Sequence, residues 1–311
     1  MVAASGVVSS AAVAIGAAAY IEAFVPISPQ ILTAVVILIV GLIAAWGILK
    51  SVALAALFTV IEIGGLGLVV WFGLTNEMNA SVDLGSLIPP FETAAWSGIF
   101  AAGLLAFFAF VGFEDMANVA EEVKQPAKTL PRGIILTLII ATIVYLVVVS
   151  VVVLVVPMSL LVGSAAPLAL IFENAGPGIN TLFGVIAIIA TINGALIQVI
   201  MASRVLYGLA VQGSLPRILA NVNSVTRTPL TATALVITII FLFAYFLPIG
   251  ELATMTSTIV LIVFAFVNMA LLRLKWLGAA PTGDVFQVPT LVPVLGLFSS
   301  GGLLFAGFFF G

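Results

Sequence analysis

Glu114 and Asp115 close an aromatic run, Phe107-Phe108-Ala109-Phe110-Val111-Gly112-Phe113, inside an apolar stretch that begins near Trp96. A carboxylate at membrane depth is costly and is generally kept for a task. On an α-helix Glu114 and Asn118, four residues apart, share one face. Asp115 is turned about 100° from Glu114. Gly112 permits local unwinding, and unwound backbone carbonyls in a sheltered cavity can hold an ammonium group or a cation. The plainer alternative is that Gly112 only packs against a neighbouring helix while both acids snorkel to the interface. A further acid, Glu62, lies deep in another apolar run, Phe58-Thr59-Val60-Ile61-Glu62-Ile63-Gly64-Gly65-Leu66-Gly67. No Lys or Arg occupies a comparable depth, so Glu62 is expected to carry a proton or to meet a hydroxyl or an amide. The glycines beside it would let another backbone approach. A functional and a structural role for Glu62 are both open.

These residues must be positioned by membrane helices. Hydrophobic residues make up 63% of the 311 positions and charged residues 7%, against about 25% charged in soluble domains. Only lipid can solvate that much apolar surface. The chain has no Cys and no His, which removes thiolate and imidazole metal sites, disulfides and triads built on either residue. No metal site, no cofactor and no enzymatic chemistry is expected. The net charge of −3 comes with no basic patch of the kind nucleic acid requires. The first twenty residues are apolar and small, but no Lys or Arg precedes them, unlike a secretory signal.

A spanning helix needs about 20 apolar residues. That ruler gives nine spans, near 2–21, 30–49, 52–74, 95–117, 133–156, 179–209, 229–248, 252–272 and 289–311. The sixth is too long for one straight crossing. Lys50, Lys124, Lys128, Arg132, Arg204, Arg217, Arg227, Arg273 and Lys275 all fall on one side of this arrangement, which is therefore read as cytoplasmic. Glu22, Glu77, Asp83, Glu92, Glu173 and Glu251 fall on the other. The segment 157–178 has room for a short helix around Leu168–Phe172, and 210–228 is rich in turn formers. Polar residues in span six (Thr191, Asn193, Gln198) and span eight (Thr254, Thr256, Ser257, Thr258, Asn268) read first as interhelical hydrogen-bonders. Ser5, Ser9, Ala12 and Gly16 form a small-residue stripe suited to close helix packing.

The segment Phe107–Arg132 resembles the sixth helix and following loop of amino acid–polyamine–organocation (APC) permeases, which read close to F-x-G-F-E, A-E-E-V-K-N-P and P-R. Gln125 stands where Asn is usual. A second match, Ser203-Arg204-Val205-Leu206-Tyr207-Gly208-Leu209-Ala210 with Gly213–Pro216 and Thr228-Pro229, is similar to the end of that family's eighth helix. A third, Ser9–Ala14 with Gly16 and Tyr20, is similar to its third helix. The resemblance covers essentially the whole chain. It implies an all-α integral membrane protein, a LeuT-like inverted-repeat helical bundle, with 1–311 as a single transmembrane permease domain of about nine helices. On that register the chain is expected to hold helices three to eleven of the family fold, and to be inactive alone because the family's site also uses an unwound first helix.

The resemblance further implies a multi-pass protein of the plasma (cell inner) membrane. Its function would be secondary active transport of amino acids or related amines by alternating access, with a proton as the expected coupling ion. Phe108, Val111 and Gly112 would lie near the small-molecule substrate, and Glu114 would match a glutamate linked to gating or proton coupling. Some members carry a Lys in helix five, and the stretch that resembles it here holds Glu62, so a coupling role for Glu62 would depart from that arrangement. Two other classes stay open: a non-transporting membrane partner or regulator, and a small-solute channel. A channel should show a continuous polar stripe along several spans, whereas the polar positions here are sparse.

Overall fold

The structure, a computed structural model, describes residues 1–75, 84–278 and 286–310. Glu77 and Asp83, assigned above to the outer side, lie outside the described residues, as do the side chains of Lys50, Glu121 and Glu122. Every regular element among the described residues is helical: α1 (Val2–Glu22), α2 (Pro29–Trp46), α3 (Ile48–Thr75), α4 (Thr93–Phe108), α5 (Pro126–Val155), α6 (Met158–Gly163), α7 (Pro177–Val211), α8 (Leu230–Phe246), α9 (Ile249–Trp276) and α10 (Leu291–Phe310), with short 3₁₀ segments between them. Among the described residues eight helices, the fourth continuing to Asn118, are long and apolar enough to cross a membrane, and the apolar α8 is a shorter ninth. Each expected span thus corresponds to a helix. In lipid this is the physical requirement, since a helix satisfies its backbone groups within itself.

Two boundaries differ from expectation. The second and third spans part at Gly47, not at Lys50, because Gly47 adopts φ 143 and ψ 134, a conformation that a side chain disfavours. The fifth helix begins at Pro126, where a missing N–H costs nothing, and runs through Pro131. Segment 157–178 holds the short helix expected around Leu168–Phe172, as a 3₁₀ turn, Pro167–Phe172, preceded by α6. It dips back into the protein: Phe172 is fully buried and stacks on Phe183 with ring centroids 4.3 Å apart.

The chain divides into two units, one of Met1–Gly6, Pro90–Ala141 and Ala253–Gly311 and one of Val7–Pro89 and Thr142–Leu252. In the second unit α7 is the hub, packing on α2, α3 and α8. The buried face of α2 shows why: Leu32, Val36, Ile37, Val40 and Ala44 recur at helical spacing, forming one apolar stripe. Ser5, Ser9 and Ala12 of the small-residue stripe are buried as expected. Gly65 of α3 faces Ile186 of α7 so closely that a Cβ there would overlap the Ile186 side chain, whereas Gly64 and Gly67 face open space. The close approach expected beside Glu62 is therefore a side chain seated on one glycine, not a second backbone. In the first unit α10 packs along α4.

Candidate functional site

The fourth span breaks where Gly112 stands. The α-helix ends at Phe108, and the next bonds run three residues back: Ala109 N–H to Ala106 O (3.2 Å), Phe110 N–H to Phe107 O (2.9 Å) and Val111 N–H to Phe108 O (3.1 Å). Gly112 then takes φ 121 and ψ −20, reached readily only without a Cβ. Its N–H donates to Glu114 Oε2 at 2.8 Å. The carboxyl group thus reaches back two residues and caps a backbone donor released by the break. A 3₁₀ helix, Phe113–Glu122, follows.

That 3₁₀ geometry corrects one expectation. Residues three apart eclipse in a 3₁₀ helix, so Glu114 and Asn118 do not share a face as they would on an α-helix. Asn118 instead donates from Nδ2 to Asp115 Oδ1 at 3.1 Å, and Asp115 is buried. Phe108, Val111, Gly112 and Glu114 are each half-buried around the break.

Helix α9 holds the break from one side. The Phe264 ring meets Phe107 before the break (centroids 6.1 Å, edge-on) and Phe113 after it (5.6 Å). Ser257, fully buried, donates to Leu104 O at 2.6 Å. Its partner was not foreseeable, although interhelical bonding was. Thr258 and Asn268, from the same polar set, bond to carbonyls of their own helix, Thr254 O and Phe264 O. Phe264 gave no signal in the sequence, being one aromatic among many in an apolar helix.

Glu62 belongs to the other unit. Asn193 on α7 is the polar side chain that acts on its carboxyl group electrostatically. Asn193 is 2% exposed and donates from Nδ2 to Thr59 Oγ1 at 3.1 Å. Thr59 in turn donates to Ala55 O at 3.0 Å. The sequence-level site residues therefore form two groups, one at the break and one between α3 and α7.

The sequence profile of the amino acid permease family matches residues 1–311. A branched-chain amino acid permease of Bacillus subtilis (strain 168) is 33% identical over 189 residues, covering 60% of this chain and 40% of the relative. A branched-chain amino acid permease of Lactococcus lactis subsp. cremoris (strain MG1363) is 28% identical over 251 residues, covering 79% of this chain and 53% of the relative. A methylthioribose transporter of Bacillus subtilis (strain 168) is 28% identical over 273 residues, covering 86% and 56%. The chain spans about half the length of the curated relatives it matches. With the full-length profile match and the all-helical, multi-pass membrane architecture, the chain belongs to the amino acid permease family of the APC superfamily.

Proposed function

We propose that the full-length protein moves amino acids or related amines across the plasma membrane by alternating access, with proton coupling, and with Phe108, Val111 and Gly112 at the substrate. The observation that carries this reading is the break at 109–112. A helix interrupted inside an apolar span presents backbone groups that lipid cannot satisfy, and such irregular backbone is tolerated where it is buried in protein or lines a cavity. The aromatic rings of Phe107, Phe108, Phe110 and Phe113 would supply apolar walls, and the unwound backbone would supply polar contacts for an ammonium or carboxylate group. Glu114 acts as a latch: while it caps Gly112 N–H the break keeps its shape, and loss of that bond lets the segment move.

The relatives' names support an amino acid substrate, and that of the methylthioribose transporter supplies the competitor to test. Full-length protein reconstituted in proteoliposomes should take up a labelled branched-chain or cationic amino acid saturably, and a proton ionophore should abolish accumulation. Uptake of methylthioribose alone would redirect the substrate class. Non-saturable flux would favour a channel, and no flux with any of these solutes would favour a membrane partner or regulator.

A further inference from the structure

The loop between α7 and α8 does more than join them. Its root is fixed: Leu219, in the 3₁₀ turn Arg217–Ala220, is buried with Ala210 of α7 and Ala232 of α8. Beyond the root, residues 223–228 close on themselves. Asn223 N–H donates to Thr228 O at 3.0 Å, and Arg227 N–H donates to Asn223 O at 2.9 Å. Inside that ring Asn223 Oδ1 accepts from the N–H groups of Val225 (2.9 Å) and Thr226 (3.0 Å), the local turn that asparagine favours. Arg227 completes the ring at φ 55. The ring meets the joint between α2 and α3. Thr228, 4% exposed, donates its hydroxyl hydrogen to Ala45 O at 3.3 Å. That hydrogen is spent, so Thr226 is the donor across the 2.7 Å contact between the two hydroxyls. Ala45 stands in the last turn of α2, where carbonyls have no donor within the helix. The strand of contacts thus runs from Thr226 through Thr228 to the end of α2.

We infer that residues 223–228 form a strap that locks the joint between α2 and α3, and that releasing Thr228 from Ala45 O lets the start of α3 swing about Gly47. Only Gly47 separates the two helices, so a change in its φ and ψ redirects α3 as a hinge does. The part that swings is the stretch of α3 before Thr59, where the bond from Asn193 of α7 takes hold. Helix α2 is held by α8 instead: a Cβ on Gly41 would stand 2.9 Å from the Ile237 side chain. The strap belongs to that α2–α8 block. Leu230 N–H donates to Thr228 O at 3.0 Å, and Thr233 Oγ1 donates to Pro229 O at 3.2 Å, where α8 begins. At the joint itself, Thr226 O lies 3.4 Å from the place a Cβ of Gly47 would take, so the ring bears on the hinge residue. Because the ring is closed by its own bonds, it can lift from α2 as a preformed piece without unfolding. In the alternating-access cycle proposed above, the strap would set when the start of α3 is free to move. That use rests on the transport reading, whereas the lock does not.

Hydrogen–deuterium exchange of the full-length protein in lipid nanodiscs, read at peptides covering 44–58, the loop 221–229 and α8, tests the lock. Thr228→Val removes the hydroxyl and keeps the side-chain shape. Losing that hydrogen bond should speed exchange in 44–58 about two- to tenfold. The amides of Val225 and Thr226, still bonded to Asn223 Oδ1, and those of α8 should exchange as in wild type. Thr228→Ser keeps the hydroxyl and should restore wild-type exchange at the joint. Thr226→Val, at a half-buried position, removes the second hydroxyl and should give a smaller rise in the same peptide, so a misfolded Thr228→Val leaves a second reading. Asn223→Ala opens the ring and should speed exchange in the loop and the joint together. Unchanged exchange in 44–58 in every folded variant would overturn the lock. So would a rise spread equally over α8, which would make Thr228 a packing residue of that helix. Faster exchange at the joint with amino acid uptake unaltered would keep the lock and remove it from the transport cycle. The same response in a protein that takes up no amino acid would sink the transport reading alone.

Discussion

Removing the Glu114 latch is the most informative perturbation of the break. The bond from Gly112 N–H to Glu114 Oε2 is 2.8 Å long and half-buried. Glu114→Ala deletes the acceptor and leaves a backbone donor at membrane depth without a partner, at a cost of about 1–3 kcal/mol. If uptake needs the broken conformation, that cost lowers its population about fivefold to more than a hundredfold, at 1.4 kcal/mol per factor of ten. Glu114→Gln keeps an oxygen in nearly the same place but loses the charge assistance. It should cost about 1 kcal/mol, or roughly fivefold. Initial uptake rates in proteoliposomes at matched protein content, measured across pH, separate the two. The expected order is wild type, then Gln with an altered pH profile, then Ala with little uptake. Thermal unfolding should follow the same order, with Gln close to wild type. Glu114→Ala that unfolds at the wild-type temperature and transports within a factor of about two at every pH would refute the latch.

Gly112→Ala adds only a methyl group but forces a side chain onto φ 121. It should cost about 1–3 kcal/mol, visible as a lower unfolding temperature even before uptake is measured. Gly65→Val should overlap Ile186 and destabilise the α3–α7 contact by a similar overpacking cost of about 1–3 kcal/mol, whereas Gly64→Val, facing open space, should not. The sidedness drawn from the basic residues is tested by single cysteines, since the chain has none of its own. Val162→Cys, at an 82% exposed position, should react with an impermeant maleimide on intact cells, and Asn221→Cys only after permeabilisation. The opposite pattern would invert the topology.

The spans were legible because lipid leaves few alternatives: a run of about 20 apolar residues must be a helix. The place of the break was legible too, since Gly112 stands beside two acids. Its geometry was not. Assuming 3.6 residues per turn put Asn118 on the Glu114 face, whereas the 3₁₀ backbone hands it to Asp115. The sequence placed Glu62 deep in an apolar run and left a proton, a hydroxyl or an amide open as its counterpart. It could not give Asn193, because depth along one helix says nothing of which residue of another helix faces it. Phe172 escaped for a related reason: a connecting segment with Pro167 and Pro177 reads as surface, yet its apolar turn folds back into a core shared with Phe72 and Phe183. The polar residues of α9 show the same limit, since Ser257 bridges to α4 while Thr258 and Asn268 serve their own helix.

The central claim is that the break at Gly112 is a substrate site of an amino acid transporter. Proteoliposomes carrying the full-length protein, under an inward proton gradient and supplied with labelled branched-chain or cationic amino acids, test it most directly when wild type is compared with Gly112→Leu. The account predicts saturable, ionophore-sensitive uptake by wild type, and none by a folded Gly112→Leu protein, whose side chain would fill or stiffen the break. Uptake by Gly112→Leu equal to wild type, or uptake by wild type no greater than by empty liposomes, would contradict it.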